Sequence, residues 1–477
     1  MKSQLFKPGQ FEPEDHWYAK ALNATIHPMV SFFLNLNQER IIKRYCHLHP
    51  MVSPETLRNL LNYKPRHFVW AGADLMHVTS EKGKRQMVVI ENNSCPSGQK
   101  SMPLLDDNQE QGGYRVLMER TFKPLTKSRR GASGELAVVY DKNPMEAIGY
   151  AKVMADVFQE PVHTVTYYNN DEDPAVRFKD GYMYVLGTDG EWHKIRMAFR
   201  YLTQSPWNRL PVMCKTQIFN PIVACLAGGR NKMLASKAYD LFNAELENSG
   251  LEILTPETIW DVSLEEVPIW VGKLGGQAVV KNPYSNAGQG VYTIVNEQEL
   301  EAFMKQDFKY TRFIVQSLIG NYNWSSTSSK GKLYHIGTVP SSKGNAYVAD
   351  IRMMVSYTAE GIRPISIYAR RAAEPLANYI EDGTDSWSML GTNLSIKEGS
   401  NSWGSDTNRL LLMDRRDFNK LGIGLDDLVD AYIQTVLSMV AIDKMSARLF
   451  NTKNKFRPRL FKSLDDDQVL LDEIMLS

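Results

Sequence analysis

Two short stretches of this chain carry residue types able to grip phosphate. In the first, Gly276-Gln277-Ala278-Val279-Val280-Lys281 reads as a strand ending on a cation. Asn282 to Gly290 reads as a turn of little side-chain bulk, and Val291-Tyr292-Thr293-Ile294 as the returning strand. Backbone amides around Ser285, Gly288 and Gly290 could close over phosphate oxygens, because glycine brings no Cβ to obstruct the approach. The stretch is neither GxxxxGK[ST] nor a strand-to-helix GxGxxG, so the P-loop and dinucleotide folds fail on context. An ordinary glycine-rich hairpin is the other reading. The second stretch pairs Ala73-Asp74-Leu75 with Met87 to Asn93, across a polar turn holding Gly83, and runs on into Pro96-Ser97-Gly98. Antiparallel strands would set Asp74, Glu91 and Asn93 on one face, since strand side chains alternate. Two carboxylates and an amide oxygen form a hard site that suits Mg²⁺, with substrate phosphates filling the remaining positions. A polar strand end beside a Pro-Gly turn is the plain alternative.

The elements that must position these groups divide into four segments. Residues 1–113 hold helical stretches near Asp15 to Thr25 and Ser53 to Asn62, then the Asp74/Glu91 hairpin. In residues 114–226, Leu136 to Tyr140 reads as a buried strand and Asn143-Pro144 opens a helix. Val162 to Tyr168 follows as the next strand, which predicts a right-handed parallel βαβ unit of Rossmann-like type. The basic run Lys127 to Arg130 before it reads as a solvated loop. Residues 227–310 contain Asn231-Lys232 at the head of a helical pattern, the Lys281 hairpin, and a helix opened by Asn296 with Glu299 as a capping box. Residues 311–477 complete the chain. The fold class expected is mixed α/β (α+β).

At 477 residues, several subdomains sharing an interface are expected. Hydrophobic content of 43%, charged content of 23% and net charge +1 describe a globular protein with no bulk attraction for nucleic acid or an acidic membrane. Phosphate affinity must therefore be local. The four cysteines (Cys46, Cys95, Cys214, Cys225) lack CxxC spacing, which points to a reducing compartment rather than a zinc cluster or disulfide framework. Cys95 reads as a small packed residue, and the histidines, without HExxH, are assigned nothing. Met1 to Asp15 has no apolar h-region. The longest apolar helical pattern, Leu428 to Ile442, is interrupted by Asp430 and Gln434 and reads as an amphipathic core helix, not a span. A soluble cytoplasmic protein is expected.

The lysine strand with its glycine loop, together with Asp74, the strand-borne Glu91-x-Asn93 and the Pro-Ser-Gly turn, resembles the ATP-grasp superfamily. Most of its members join a carboxylate to an amine at the expense of ATP. The early position of Glu91-x-Asn93, nearly two hundred residues before Lys281, is similar to the circularly permuted branch that includes glutathionylspermidine synthase-like proteins. The resemblance implies ATP and Mg²⁺ as cofactors. Lys232 (with Lys237 as a second candidate) and Lys281 would be the phosphate lysines, and Asp74, Glu91 and Asn93 the metal ligands. Phe313 to Gly320 would be the adenine hinge, with Gln316 and Leu318 beside the base and Ser317 where many members carry Glu. Asp350-Ile351-Arg352, Arg370-Arg371 and Asn393-Leu394-Ser395 resemble the family's late series, in which arginines face the γ-phosphate and the substrate carboxylate; their planar fork suits both.

An acyl phosphate would form and an amine would attack it, with the oxyanion stabilised by Arg352, Arg370 or the amides near Gly98. Small-molecule substrates (an amino acid, a peptide or a polyamine) and a possible homodimer follow from the same resemblance. A phosphotransferase or a non-catalytic nucleotide-binding protein are the alternatives. Asp443 with Asp472-Glu473 after a strand-like Val469-Leu470-Leu471 competes as a late metal site, but Met475 stands where the amide is needed.

Overall fold

Alternation along a few strands decides which residues meet. The computed structural model describes residues 2–106, 108–126, 133–168, 171–203, 209–285, 288–381, 383–397 and 403–475. The Trp70–Ser80 strand pairs antiparallel with Arg85–Asn93 on one side and Ala346–Thr358 on the other, and Gly361–Arg371 continues the sheet. Ala73, Leu75, Met87, Val89, Ile351, Met353, Ile367 and Ala369 share one buried core with the 24-residue helix Leu425–Arg448. The Leu, Met, Val and Ile side chains among them each stabilise by roughly 1.5–3 kcal/mol when buried, so the sheet is locked with its alternate residues outward. Those are Asp74, Asp350, Arg352, Tyr368 and Arg370.

On the hairpin's second strand the register slips. Glu91 faces Asp74 while Val89 faces Leu75, which leaves Ile90 as an extra residue. This bulge turns Glu91 and Asn93 to the outward side although Val89 points into the core.

A second sheet has four antiparallel strands in the order Thr258–Val262, Phe313–Ser317, Ala278–Lys281, Val291–Ile294. Ala278, Val280, Phe313 and Val315 are buried with Val271 and Phe303 from the covering helices. The alternate residues Val279, Lys281 and Gln316 are left to line the cleft opposite the first sheet. Phe313–Ser317 sits inside this sheet, although the four-segment division of the sequence places it with the last segment.

The third sheet runs Ser3–Phe6, Val162–Thr166, Glu135–Tyr140, Trp192–Tyr201, Tyr182–Leu186, Val176–Lys179. Glu135–Tyr140 and Val162–Thr166 are parallel and joined by the helix Pro144–Phe158, as the βαβ pattern predicts. Its edge strand Ser3–Phe6 comes from the chain start, outside the 114–226 segment.

Some local expectations change. Asp15 to Thr25 forms only a short 3₁₀ turn and the one-turn helix Ala19–Leu22, whereas Pro54–Leu61 is a helix capped by the Ser53 hydroxyl as expected. Asn296 caps Glu297–Met304, but Glu299 accepts from the Val295 amide instead of closing the box on Asn296. Val469 to Leu471 lies in the helix Gln468–Met475, not in a strand. Leu425–Arg448 is enclosed rather than amphipathic over its middle turns: Gln434 is buried and bonds the Glu252 and Leu254 backbone. Lys127 to Arg130 lies outside the described residues. No helix of the described residues is long and apolar enough to cross a membrane.

Candidate active site

Two lysines approach Glu91 from different elements. Lys232 opens the helix Lys232–Glu245, whose N-cap Asn231 accepts from the amides of Met233 and Leu234. The other side of Asn231 is fixed by Asp465, which also takes the Tyr284 hydroxyl at 2.6 Å. Helix and lysine loop are thereby tied together, and the Lys232 amide donates to the Pro283 carbonyl. The Lys232 ammonium bonds the Ser285 carbonyl and lies 3.8 Å from the Glu91 carboxylate. Lys281 ends its strand with Nζ 2.7 Å from Gln316 Oε1 and 3.4 Å from the Ile90 carbonyl.

Burial pushes Lys281 down to about 8, opposed by Glu91 and reinforced by Lys232. Burial lowers Lys232 as well, against Glu91 and with help from Arg230. Two desolvated ammonium groups facing one carboxylate make a site that gains from an added anion.

Across the cleft, cross-strand pairing assembles the opposite charges. Asp74 and Arg352 are register partners, as are Asp350 and Arg370. Arg352 binds Asp74 through Nε at 2.5 Å and Nη2 at 2.7 Å, and Arg370 Nη2 lies 2.9 Å from the same carboxylate. Arg370 also forks onto Asp350, with Nε at 3.0 Å. Burial works against charge on Asp74, yet Arg352 and Arg370 hold its carboxyl far below the usual range. On Asp350 burial prevails over Arg370 and raises the carboxyl.

Asp74 therefore departs from the open metal ligand expected, because both its oxygens are engaged by arginine. Glu91 and Asn93 fit a hard cation better. Lys232 is the one ion-pair partner of Glu91 among the described residues, and Asn93, whose amide oxygen is the atom a cation would take, is buried in the same wall of the cleft.

The cleft has two chambers that share Asp74, Glu91, Arg370 and Asn393. The first, about 810 Å³, lies between the two sheets and is lined by Lys281, Gly288, Gln316, Leu318, His335 and Trp387. The second, about 1410 Å³, opens past Arg352 toward Asn93, Lys142 and Arg230. Lys232 borders a smaller cavity behind Glu91. Gly288, at φ +76°, lies so close to Asn393 and Trp387 that a Cβ would come within 3.2 Å of the former. The turn could not carry a side chain there without displacing the wall. Gly290 and the Ser285 side chain stay behind it, Ser285 Oγ bonding the Asn282 carbonyl.

Other expected residues find different employment. Lys237 bonds the Leu464 carbonyl and lies over the Trp260 ring, away from the cleft. Gln316 holds Lys281 and Thr258, while the Leu318 amide donates to Ser326 Oγ and its carbonyl accepts from Ser326. The Gly98 amide donates to buried Glu146, as does that of Gln99, so this turn is occupied rather than poised for an oxyanion. Arg371 stacks on Tyr347. Asp443 is sealed by the amides of Arg66, His67 and Phe68 and the Tyr63 hydroxyl, and Glu473 pairs with Lys309.

Residues without a local signal also appear. His335, held near pKa 4 by burial, and Trp387 wall the first chamber. Far from it, Glu135, His163 and His193 bring ligand atoms within 4.8 Å of one another.

No protein-family model and no curated protein sequence matches the chain. Among solved structures it is similar to a RimK-domain ATP-grasp protein from Sphaerobacter thermophilus, 13% identical over 51% of this chain and 92% of that one, TM-score 0.27. A glutathione synthetase-like effector from Globodera pallida is 7% identical over 72% of this chain and 82% of its own, TM-score 0.36. D-alanine–D-alanine ligase from Bacillus anthracis complexed with ATP is 12% identical over 64% and 97%, TM-score 0.22. Each likeness is distant.

Proposed function

We propose that this chain is a circularly permuted ATP-grasp enzyme that joins a carboxylate to an amine while converting ATP to ADP and phosphate. One observation carries the reading: Lys232, Lys281 and Glu91, from three separate elements, line one cavity that adjoins the chamber between the two sheets. The permuted order is supported by the hairpin of residues 70–93, which precedes the lysines in the chain yet pairs with Ala346–Thr358.

The chemistry follows from charge. ATP and a carboxylate repel each other, so cations must stand where they meet. Lys232 and Lys281 would grip phosphate oxygens, and the Gly288 turn would shelter them from water. Glu91 and Asn93 would hold Mg²⁺, which when bound neutralises phosphate charge. Asp74 and Asp350 fix the planes of Arg352 and Arg370 at the junction of the two chambers, where a substrate carboxylate would lie. A carboxylate oxygen attacks the γ-phosphorus, the bond to the bridging oxygen breaks, and ADP leaves. The amine nitrogen then attacks the acyl carbon and loses a proton, the carbon–oxygen bond breaks, and inorganic phosphate leaves.

The test uses Glu91→Gln. Hydroxylamine serves as the amine trap, with a panel of amino acids, peptides and other acids. The variant should fold as wild type and lose about 10²–10³-fold in acid-dependent ADP release, the scale of a removed transition-state charge partner. Unchanged ADP release would reject the assignment.

A further inference from the structure

Three cations in the second chamber have no part in the chemistry above. Arg230, Lys142 and Lys100 line its wall beyond Arg352, and none of them lines the first chamber. The hydrogen bonds of Arg230 and Lys100 go to neutral acceptors. Arg230 donates to the Thr203 carbonyl at 2.6 Å and to Cys95 Sγ at 3.6 Å, and Lys100 bonds Asn143 Oδ1. Arg230 is only 6% exposed, and its Nε is buried with no hydrogen-bond partner among the described residues. Asp141, adjacent in sequence to Lys142, pairs with Arg209, and the same carboxylate is the opposite charge acting on Arg230 and Lys142, so one carboxylate is shared among three cations.

The contrast with the junction is direct. There Arg352 and Arg370 are matched by Asp74 and Asp350. A buried guanidinium with an idle donor, beside two further ammonium groups, is costly to hold unless an anion joins it. Burial and the nearby Arg230 push Lys142 down to about 8 even though Asp141 opposes them, the direction such crowding produces.

Resting on the ligase reading, we infer that the acid activated here carries a second anionic group, a carboxylate or a phosphate, held by Arg230, Lys142 and Lys100 while its reacting carboxylate faces Arg352 and Arg370. The guanidinium supplies a directional fork and the two ammonium groups supply point charges, a combination that accepts either anion. Substrates with an uncharged tail leave these cations unmatched, so they are selected against.

The experiment compares glutarate and O-phosphoserine with butyrate and alanine as acids for hydroxylamine-trapped ADP release by the full chain. Either or both dianionic acids should be used at least tenfold better, and whichever is favoured identifies the group as carboxylate or phosphate. Lys142→Gln, which removes a half-buried charge, should raise the apparent KM for the favoured dianion about tenfold or more, the size of a lost charge-assisted contact. KM for ATP and turnover of butyrate should not move. Equal use of butyrate, or a KM for the dianion that Lys142→Gln leaves unchanged, overturns the inference and leaves the ligase reading intact. If no acid supports ADP release, the ligase reading fails, and glutarate and O-phosphoserine binding by calorimetry decides the subsite. Binding that Lys142→Gln weakens sustains it, and no binding, or equal binding by the variant, overturns it.

Discussion

Replacing Lys281 with methionine should stabilise the free protein and weaken nucleotide binding, two effects with one cause. Lys281 is 4% exposed, and its pKa falls from 10.5 to about 8. That drop corresponds to about 3 kcal/mol of penalty on the charged form. Methionine keeps the length and removes the penalty, but it leaves Gln316 Oε1 without its donor, a loss of about 1 kcal/mol. The free protein should therefore gain about 2 kcal/mol, read as a rise of a few degrees in thermal midpoint.

ATP loses a charge-assisted contact worth about 1.5–3 kcal/mol, so calorimetric affinity should fall about 10–150-fold. The pH dependence supplies a control. Only protonated Lys281 attracts phosphate, so wild-type affinity should decline as pH rises past about 8, and that decline should shrink in Lys281→Met to the part owed to Lys232. A variant that binds ATP within twofold of wild type, or one less stable than wild type, would refute the reasoning.

Asp74→Asn should cost about 3–5 kcal/mol in denaturant unfolding, because Arg352 and Arg370 are left buried with half their counter-charge; an unchanged midpoint would show the pairs to be dispensable. Hydrogen bonds to Asp189 and Glu135 raise His193, so its contribution to stability is fully present below its unfolded pKa and lost as pH rises through the folded one. The urea midpoint of wild type should accordingly fall from pH 6 to pH 8 relative to that of His193→Gln, and parallel curves would count against it.

Local pattern carried much of the secondary structure around the candidate site. The period-two runs around Asp74, Glu91 and Lys281 each lie on a strand, and Asn231-Lys232 does open a helix, because these signals act over a few residues. Side-chain roles were less legible where a distant strand supplies the partner. Asp74 reads as a free carboxylate until Arg352, nearly three hundred residues later, arrives opposite it in register. The Gly98 amide reads as available until Glu146 takes it. The Glu135, His163 and His193 group has no spacing to recognise, since its members come from three neighbouring strands.

Residue types and their periodicity were enough to establish that this chain makes a lysine hairpin, a carboxylate hairpin and a parallel βαβ unit. Which charges neutralise each other was settled by strand register and by the Ile90 bulge. The reason is range: backbone preferences act between neighbours, whereas the energy of a buried charge depends on whatever the completed fold places within a few ångströms of it.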